Sequence, residues 1–318
     1  MGNDRRTATD TATTDSAAVE RIRAHFADEL ARATLQMSPF PHLVLPDALP
    51  ADVFAQVLAD NPFSTDPGIA FGTTPGMMRV KYAHSFDKRF DIGLDPASAA
   101  PAPVWDAVAE AFGDGTWLYE VLAERFPAYF SIRFGDALAV PGFWNRLRRQ
   151  IFLQRHEPGF SLAAHTDIPT RVASLIFSFA DREGFDHCGT QLLAPKDPLL
   201  RCWGNDHHPV DAFDVVTVAP YRPNSCLVFF KTRHSFHSVS PEAATAPNGR
   251  FGMQVQVFEQ PDGALVDLSA PDLMKNTQIR PPRLRWARRG VRKALDTVGR
   301  LRRLSTTAGR RSGRRPRS

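Results

Sequence analysis

Residues 162–179 read LAAHTDIPTRVASLIFSF. From Val172 onward the stretch is an apolar, β-rich run with the length of one buried strand, while the polar half before it carries His165 and Asp167 two positions apart. Residues i and i+2 of a strand point to the same face, so an imidazole nitrogen and a carboxylate oxygen project side by side from the segment that leads into the run. The same texture continues on both sides: RQIFLQRHEPG, SLAAHTD, VASLIFSFA, GTQLLAP, AFDVVTVAPY, NSCLVFFK, SFHSVSP and RFGMQVQVFEQ, the last preceded by the turn signal Asn248-Gly249. Eight short strands with no helices between them predict a two-sheet or closed β architecture, a jelly roll, over about 146–260.

Upstream the period lengthens to that of a helix. Val19, Ile22, Phe26, Leu30 and Ala33 mark one amphipathic stripe, and Val53, Phe54, Val57 and Leu58 a second after the Pro-bounded strand PFPHLVL. Further stripes are formed by Val104, Val108 and Phe112, then by Leu118, Val121, Leu122 and Phe126. Between Phe63 and Pro103 the chain is rich in Gly, Pro and Asp, with a single weak strand signal around MMRVKYAHSF. The expected fold class is therefore mainly β (α+β): a jelly-roll core with N-terminal helices packed on it, in one domain over 19–262. Residues 1–18, rich in Thr, Ala and Asp, read as disordered.

Composition bounds what such a chain can be. Across 318 residues, 43% are hydrophobic, with 23 Phe and 5 Trp, enough for a sizeable core. Cys188, Cys202 and Cys226 are odd in number and widely spaced, which argues against a disulfide framework and a cysteine zinc site. No run approaches the ~18 apolar residues of a membrane span, and the expectation is a cytoplasmic protein. The formal charge of +5 is uneven: residues 280–318 hold fifteen Lys or Arg against one acid, Asp296. There Leu284, Ala287, Val291, Ala294, Leu295, Val298 and Leu301 recur in a basic amphipathic helix, followed by a disordered basic end. Such a helix suits an anionic membrane surface, which would place the protein peripherally at a membrane, or an acidic partner. It can equally pack on the core; sequence-specific nucleic-acid binding is not expected.

His165 and Asp167 need a third ligand to hold a metal, and the segment KTRHSFHSVSP offers His234 and His237. His237 is preferred because Arg250 follows it by thirteen residues across a turn, at an adjacent strand end. Two His and one carboxylate on one side of a non-haem Fe(II) leave the opposite positions open. In RFGMQVQV the residues Arg250, Gly252, Gln254 and Gln256 share one face, a polar wall whose guanidinium suits a carboxylate ligand. His207 and His208 are adjacent, would face opposite ways on a strand, and read as solvent-exposed loop. Lys231 and Arg233 read as solvated, and the long connections from Pro67 to Leu94 and from Asp181 to Asp211 as lids or walls where substrate is chosen.

H-x-D at 165–167, His237 seventy residues after Asp167, and Arg250 thirteen further on resemble the signature of the Fe(II)- and 2-oxoglutarate-dependent oxygenases, nearest to their prolyl-4-hydroxylase-like bacterial branch. PFPHLVLPDALP and RHEPGFSLAAHTD are also similar to that family, and the resemblance spans roughly 39–260. It implies that His165, Asp167 and His237 hold iron and that Arg250 pairs with the far carboxylate of 2-oxoglutarate. His156 would contact the cosubstrate where relatives often have Tyr, and Gly252 stands where many have Ser. Implied with these are oxidative decarboxylation of 2-oxoglutarate to succinate and carbon dioxide, hydroxylation of a small-molecule or peptidyl substrate by O2, and ascorbate as an accessory reductant. Two other classes compete: a zinc hydrolase on the same three ligands, and a non-catalytic jelly roll tethered by its basic tail.

Overall fold

The computed structural model describes residues 15–61, 77–81 (backbone only), 103–156, 160–202, 204, 206–240 and 249–259. The expected basic helix of 280–318 lies outside them. Helix α1 (Ser16–Arg32) begins inside the segment expected to be disordered, because the Asp15 side chain caps it, accepting from the Ala17 and Ala18 amides at 3.0 and 3.4 Å. It buries Val19, Ile22, Phe26 and Leu30, the stripe read from the sequence. Strand β1 (His42–Leu45), helix α2 (Ala51–Ala59), strand β2 (Met77–Lys81), and helices α3 (Pro103–Gly113) and α4 (Trp117–Arg125) follow. Helix α5 (Pro127–Phe134) was not foreseen; Pro127 opens it, and Tyr129, Phe130, Arg133 and Phe134 form its buried stripe.

All eight expected strands are present: β3 (Leu147–His156), β4 (Leu162–His165), β5 (Arg171–Ser178), β6 (Thr190–Pro195), then, after a two-residue β7 (His207–His208), β8 (Phe213–Ala219), β9 (Ser225–Phe230), β10 (His237–Val239) and β11 (Arg250–Glu259). They form two antiparallel sheets, ordered β1-β9-β5-β11-β3-β2 and β7-β4-β10-β6-β8. Along the chain the strands pass back and forth between the sheets, so β3, β5, β9 and β11 lie side by side in one while β4, β6, β8 and β10 make up most of the other. Phe251, Met253, Val255 and Val257 of β11 join the core under the helices, while Arg250, Gln254 and Gln256 line a cavity between the sheets, as the alternation predicts.

Aromatic edges hold the helices on the larger sheet. Phe112 of α3 meets Phe26 of α1 and Phe177 of β5 in T-shaped contacts, 5.1 Å from each. On the other face, Leu192 and Ala219 of the smaller sheet pack with Leu227 and Phe229 of the larger one, closing the sandwich. Gly249 supplies the positive φ (+74°) that its turn into β11 requires.

One buried ion pair ties α5 to the end of β11. Arg133 Nε donates to Glu259 at 2.6 Å, Nη1 to the Tyr129 hydroxyl at 2.9 Å and Nη2 to the Pro169 carbonyl at 3.4 Å. Both charges are out of water, with side-chain exposures of 0% and 1%. Arg133→Met strands the Glu259 carboxylate and is expected to cost about 3–5 kcal/mol in urea unfolding. Arg133→Met combined with Glu259→Leu is expected to cost less than the single change, because no lone buried charge remains.

Candidate metal centre

Antiparallel pairing of β4 with β10 sets His165 directly opposite His237. Cross-strand partners share a face, and the two rings lie 4.3 Å apart at their centroids. Each Nδ1 donates to the carbonyl two residues back in its own chain, His165 to Ala163 at 2.9 Å and His237 to Ser235 at 3.0 Å. That bond selects the tautomer with the proton on Nδ1, leaving the Nε2 lone pair as ligand. Asp167 joins them: one nitrogen or oxygen from each of the three residues lies within 4.8 Å of the others. His234, the alternative, stays outside this cluster, on the turn between β9 and β10.

Asp167 is held by groups to which the sequence reading assigned no role. Ser174 Oγ donates to Asp167 Oδ2 at 2.7 Å, Arg171 Nη1 donates to Ser174 Oγ at 2.9 Å, and the same nitrogen is 3.6 Å from Asp167 Oδ1. The signal was there in a hydroxyl interrupting an apolar run and an arginine four residues after the acid. Burial alone would raise the Asp167 pKa, but Arg171, the two imidazoles and the Ser174 hydrogen bond outweigh it and keep the carboxyl well below the usual range. Burial, helped by the neighbouring His237, pushes His165 down to about 3, and burial also lowers His237. Two neutral imidazoles and an ionised carboxylate form the protonation state a divalent metal needs.

The three residues open into a cavity of about 200 Å³ between the sheets. Arg250 stands in its wall, 7% exposed, with its guanidinium 5.5 Å from the centre of the Tyr221 ring. The Tyr221 hydroxyl accepts from the Phe251 amide at 2.8 Å, which fixes that ring beneath the arginine. Arg250 Nε and Nη1 are buried and meet no hydrogen-bond partner among the described residues. Burial lowers the pKa to about 10, so the group stays cationic at neutral pH. A buried guanidinium with two donors unspent, facing a cavity, is a site for an anion. Gln154 Oε1 in the same wall is likewise unpartnered among the described residues.

His156 pairs in register with Arg250, lines the cavity, and stacks on Phe160 at 4.1 Å. Gly252 lies where β11 passes so close to β5 that a Cβ would come within 2.2 Å of the Phe177 carbonyl oxygen. His207 and His208 are not a loop: they form β7, which pairs with β4 and places His207 opposite His165, their rings stacked at 5.0 Å. The isolated periodicity of two residues concealed that pairing. Lys231 is not solvated but fully buried, its ammonium satisfied by Thr166, Thr232 and Cys202.

No family model matches the chain, and no curated protein matches it. Among solved structures it is similar to a Pseudomonas putida prolyl-4-hydroxylase, at 15% identity over 75% of this chain and 99% of that one, with a TM-score of 0.40. An oxidoreductase of the 2OG-Fe(II) oxygenase family from Burkholderia pseudomallei is similar at 13% identity over 76% and 91%, TM-score 0.36. HygX from Streptomyces hygroscopicus, with nickel and 2-oxoglutarate bound, is similar at 12% identity over 69% and 83%, TM-score 0.38.

Gly252→Ser is expected to lower stability by about 1–3 kcal/mol in urea unfolding, since the added atoms meet the backbone of a central strand rather than a movable side chain.

Proposed function

We propose that the protein is an Fe(II)- and 2-oxoglutarate-dependent dioxygenase built on a double-stranded β-helix, or jelly roll. The observation that carries this reading is the unsatisfied Arg250 guanidinium in the same cavity wall system as the His165, Asp167 and His237 cluster. The alternation of strands between two antiparallel sheets supports the jelly roll.

The donors fit the groups implied. Two imidazole nitrogens and one carboxylate oxygen converging from one side suit a non-haem Fe(II) with open positions. A dicarboxylate would run along the cavity from that cluster to Arg250, one end toward the metal that the three residues would hold and the other accepting hydrogen bonds from the guanidinium. Bound there, iron and 2-oxoglutarate would supply oxidative decarboxylation to succinate and carbon dioxide, with one atom of O2 placed in succinate and the other inserted into a C–H bond of the substrate.

The chain's own residues divide the remaining work. Ser174 and Arg171 hold the Asp167 carboxylate ionised and oriented; Ala163 and Ser235 carbonyls turn the imidazoles; Ile176 and Phe229 add apolar wall to the cavity. Tyr221 presents its ring face to Arg250 and helps keep that charge in place out of water. His156 beside Arg250 is positioned to contact the cosubstrate. The same three ligands would serve a zinc hydrolase, but that chemistry has no use for the unspent donors of Arg250. The substrate is a small molecule or a peptidyl side chain, and β7, which puts His207 against His165, lies in the stretch expected to select it.

Purified protein with Fe(II), ascorbate and O2 is expected to convert 2-oxoglutarate to succinate slowly without substrate. Asp167→Ala is expected to abolish both metal binding and turnover. Arg250→Ala is expected to keep the metal and lose 2-oxoglutarate affinity by about 30-fold or more, the equivalent of the ~2 kcal/mol lower bound for removing one partner of a buried charge pair. Absence of both succinate formation and calorimetric 2-oxoglutarate binding in the iron-loaded protein would overturn the proposal.

A further inference from the structure

Behind His165, Asp167 and His237 one buried lysine joins the turns that carry them. Lys231 follows β9, is 0% exposed, and its Nζ donates to Thr166 Oγ1 at 2.7 Å, the Thr232 carbonyl at 2.8 Å and the Cys202 carbonyl at 3.4 Å. An ammonium has three N–H donors, and here each has an acceptor.

Each acceptor belongs to a segment that touches the cluster. Thr166 sits between His165 and Asp167 and is 1% exposed; its hydroxyl also donates to the Cys202 carbonyl at 3.3 Å. Alternation along an extended chain sends the Thr166 side chain away from its two neighbours, inward to the lysine. Beyond Cys202 the chain reaches Gly204, whose φ of +106° and closeness to the Asp167 carbonyl, 2.4 Å from where a Cβ would sit, leave no room for a side chain. Thr232 opens the turn to β10: its amide donates to Ser235 Oγ at 3.0 Å, that hydroxyl donates back to the Thr232 carbonyl at 3.2 Å, and the Ser235 carbonyl accepts from His237 Nδ1. The Lys231 backbone is itself clamped, its amide donating to the Val172 carbonyl at 3.1 Å and its carbonyl accepting from the Tyr129 hydroxyl at 3.2 Å.

We propose that Lys231 is a positioning residue of the metal centre. Through Thr166 on one side and the Thr232–Ser235 turn on the other, it holds the His165–Asp167 turn and the His237 turn at the separation at which their ligand atoms converge. The assignment rests on the metal-site reading above, not on the identity of the cosubstrate. A lysine that merely filled space would be replaceable by an apolar chain of similar length. Charge-assisted hydrogen bonds that reach all the ligand-bearing turns constrain position instead.

The test is Co(II) binding to the full chain, read by d–d absorption, which reports ligand geometry, and by titration. Lys231→Met is expected to weaken Co(II) binding by about 10- to 100-fold, as losses of groups behind metal ligands do, and to shift the d–d bands. Thr166→Val, which removes only the hydroxyl that the lysine grips, is expected to weaken binding by about 10-fold, and Thr166→Ser, which keeps it, to bind like the unsubstituted protein. The effects of Lys231→Met and Thr166→Val should not add, because they break one shared contact. The proposal fails if Lys231→Met and Thr166→Val lower the thermal midpoint but leave Co(II) affinity and spectrum unchanged, or if Thr166→Ser is as weak as Thr166→Val. Should Lys231→Met not fold, the two Thr166 variants decide the matter by themselves. Co(II) binding by the unsubstituted protein no stronger than by Asp167→Ala would instead remove the metal reading, and this assignment with it.

Discussion

The pairing of His165 with His237 across β4 and β10 is the constraint from which the centre follows. Two residues directly opposite in an antiparallel ladder have no choice but to share a face, and a slip of one residue would turn either imidazole to the other side of the sheet. β10 is only three residues long, too short to hold its own register. Its place is set by β4 on one side and β6 on the other, with Leu192 also paired to His237. The tautomer, by contrast, is chosen locally, because each ring bonds a carbonyl two residues back in its own segment. Long-range pairing brings the ligands together and short-range bonding aims them.

Buried polar groups divide into two kinds. Arg133, Tyr129 and Lys231 are out of water with partners on hand, and they link α5, the segment after Asp167 and the turn before β10 into one network. Arg250, at a similar depth, has donors that nothing among the described residues takes up. Leaving a buried donor unsatisfied costs about 1–3 kcal/mol, more when it is charged. Arg250 and the His/Asp/His cluster line the same cavity between the sheets, so an anion paired with the first would share that cavity with the second. The satisfied set keeps the cluster's supports from moving, and the open one awaits a partner.

Much of this was legible in order of residues alone. Short β-rich runs between turn residues marked all eight strands of the core, period-3.6 stripes marked α1 to α4, and the alternation in RFGMQVQV told which face of β11 would line the cavity. These readings succeed because they depend on the backbone repeat and on burying apolar faces, both of which are written locally. The H-x-D spacing likewise puts an imidazole and a carboxylate on one side of an extended segment. α5 escaped because its stripe follows α4 after a single residue, Phe126, so two helical patterns run together.

What the sequence determined, then, is the residue types of the candidate metal centre, the segments that bear them and the faces they occupy. The tertiary structure alone decided that His237 rather than His234 meets His165, that His207 lies in a strand against it, and that Lys231 is buried rather than solvated. Each of these depends on which distant segments pair and on whether acceptors from Thr166, Cys202 and Thr232 gather around one ammonium. Such gatherings are products of register and sheet order, where residues up to 65 positions apart become neighbours. No local period encodes them, since the free energy that selects them appears only when the two sheets close over the cavity.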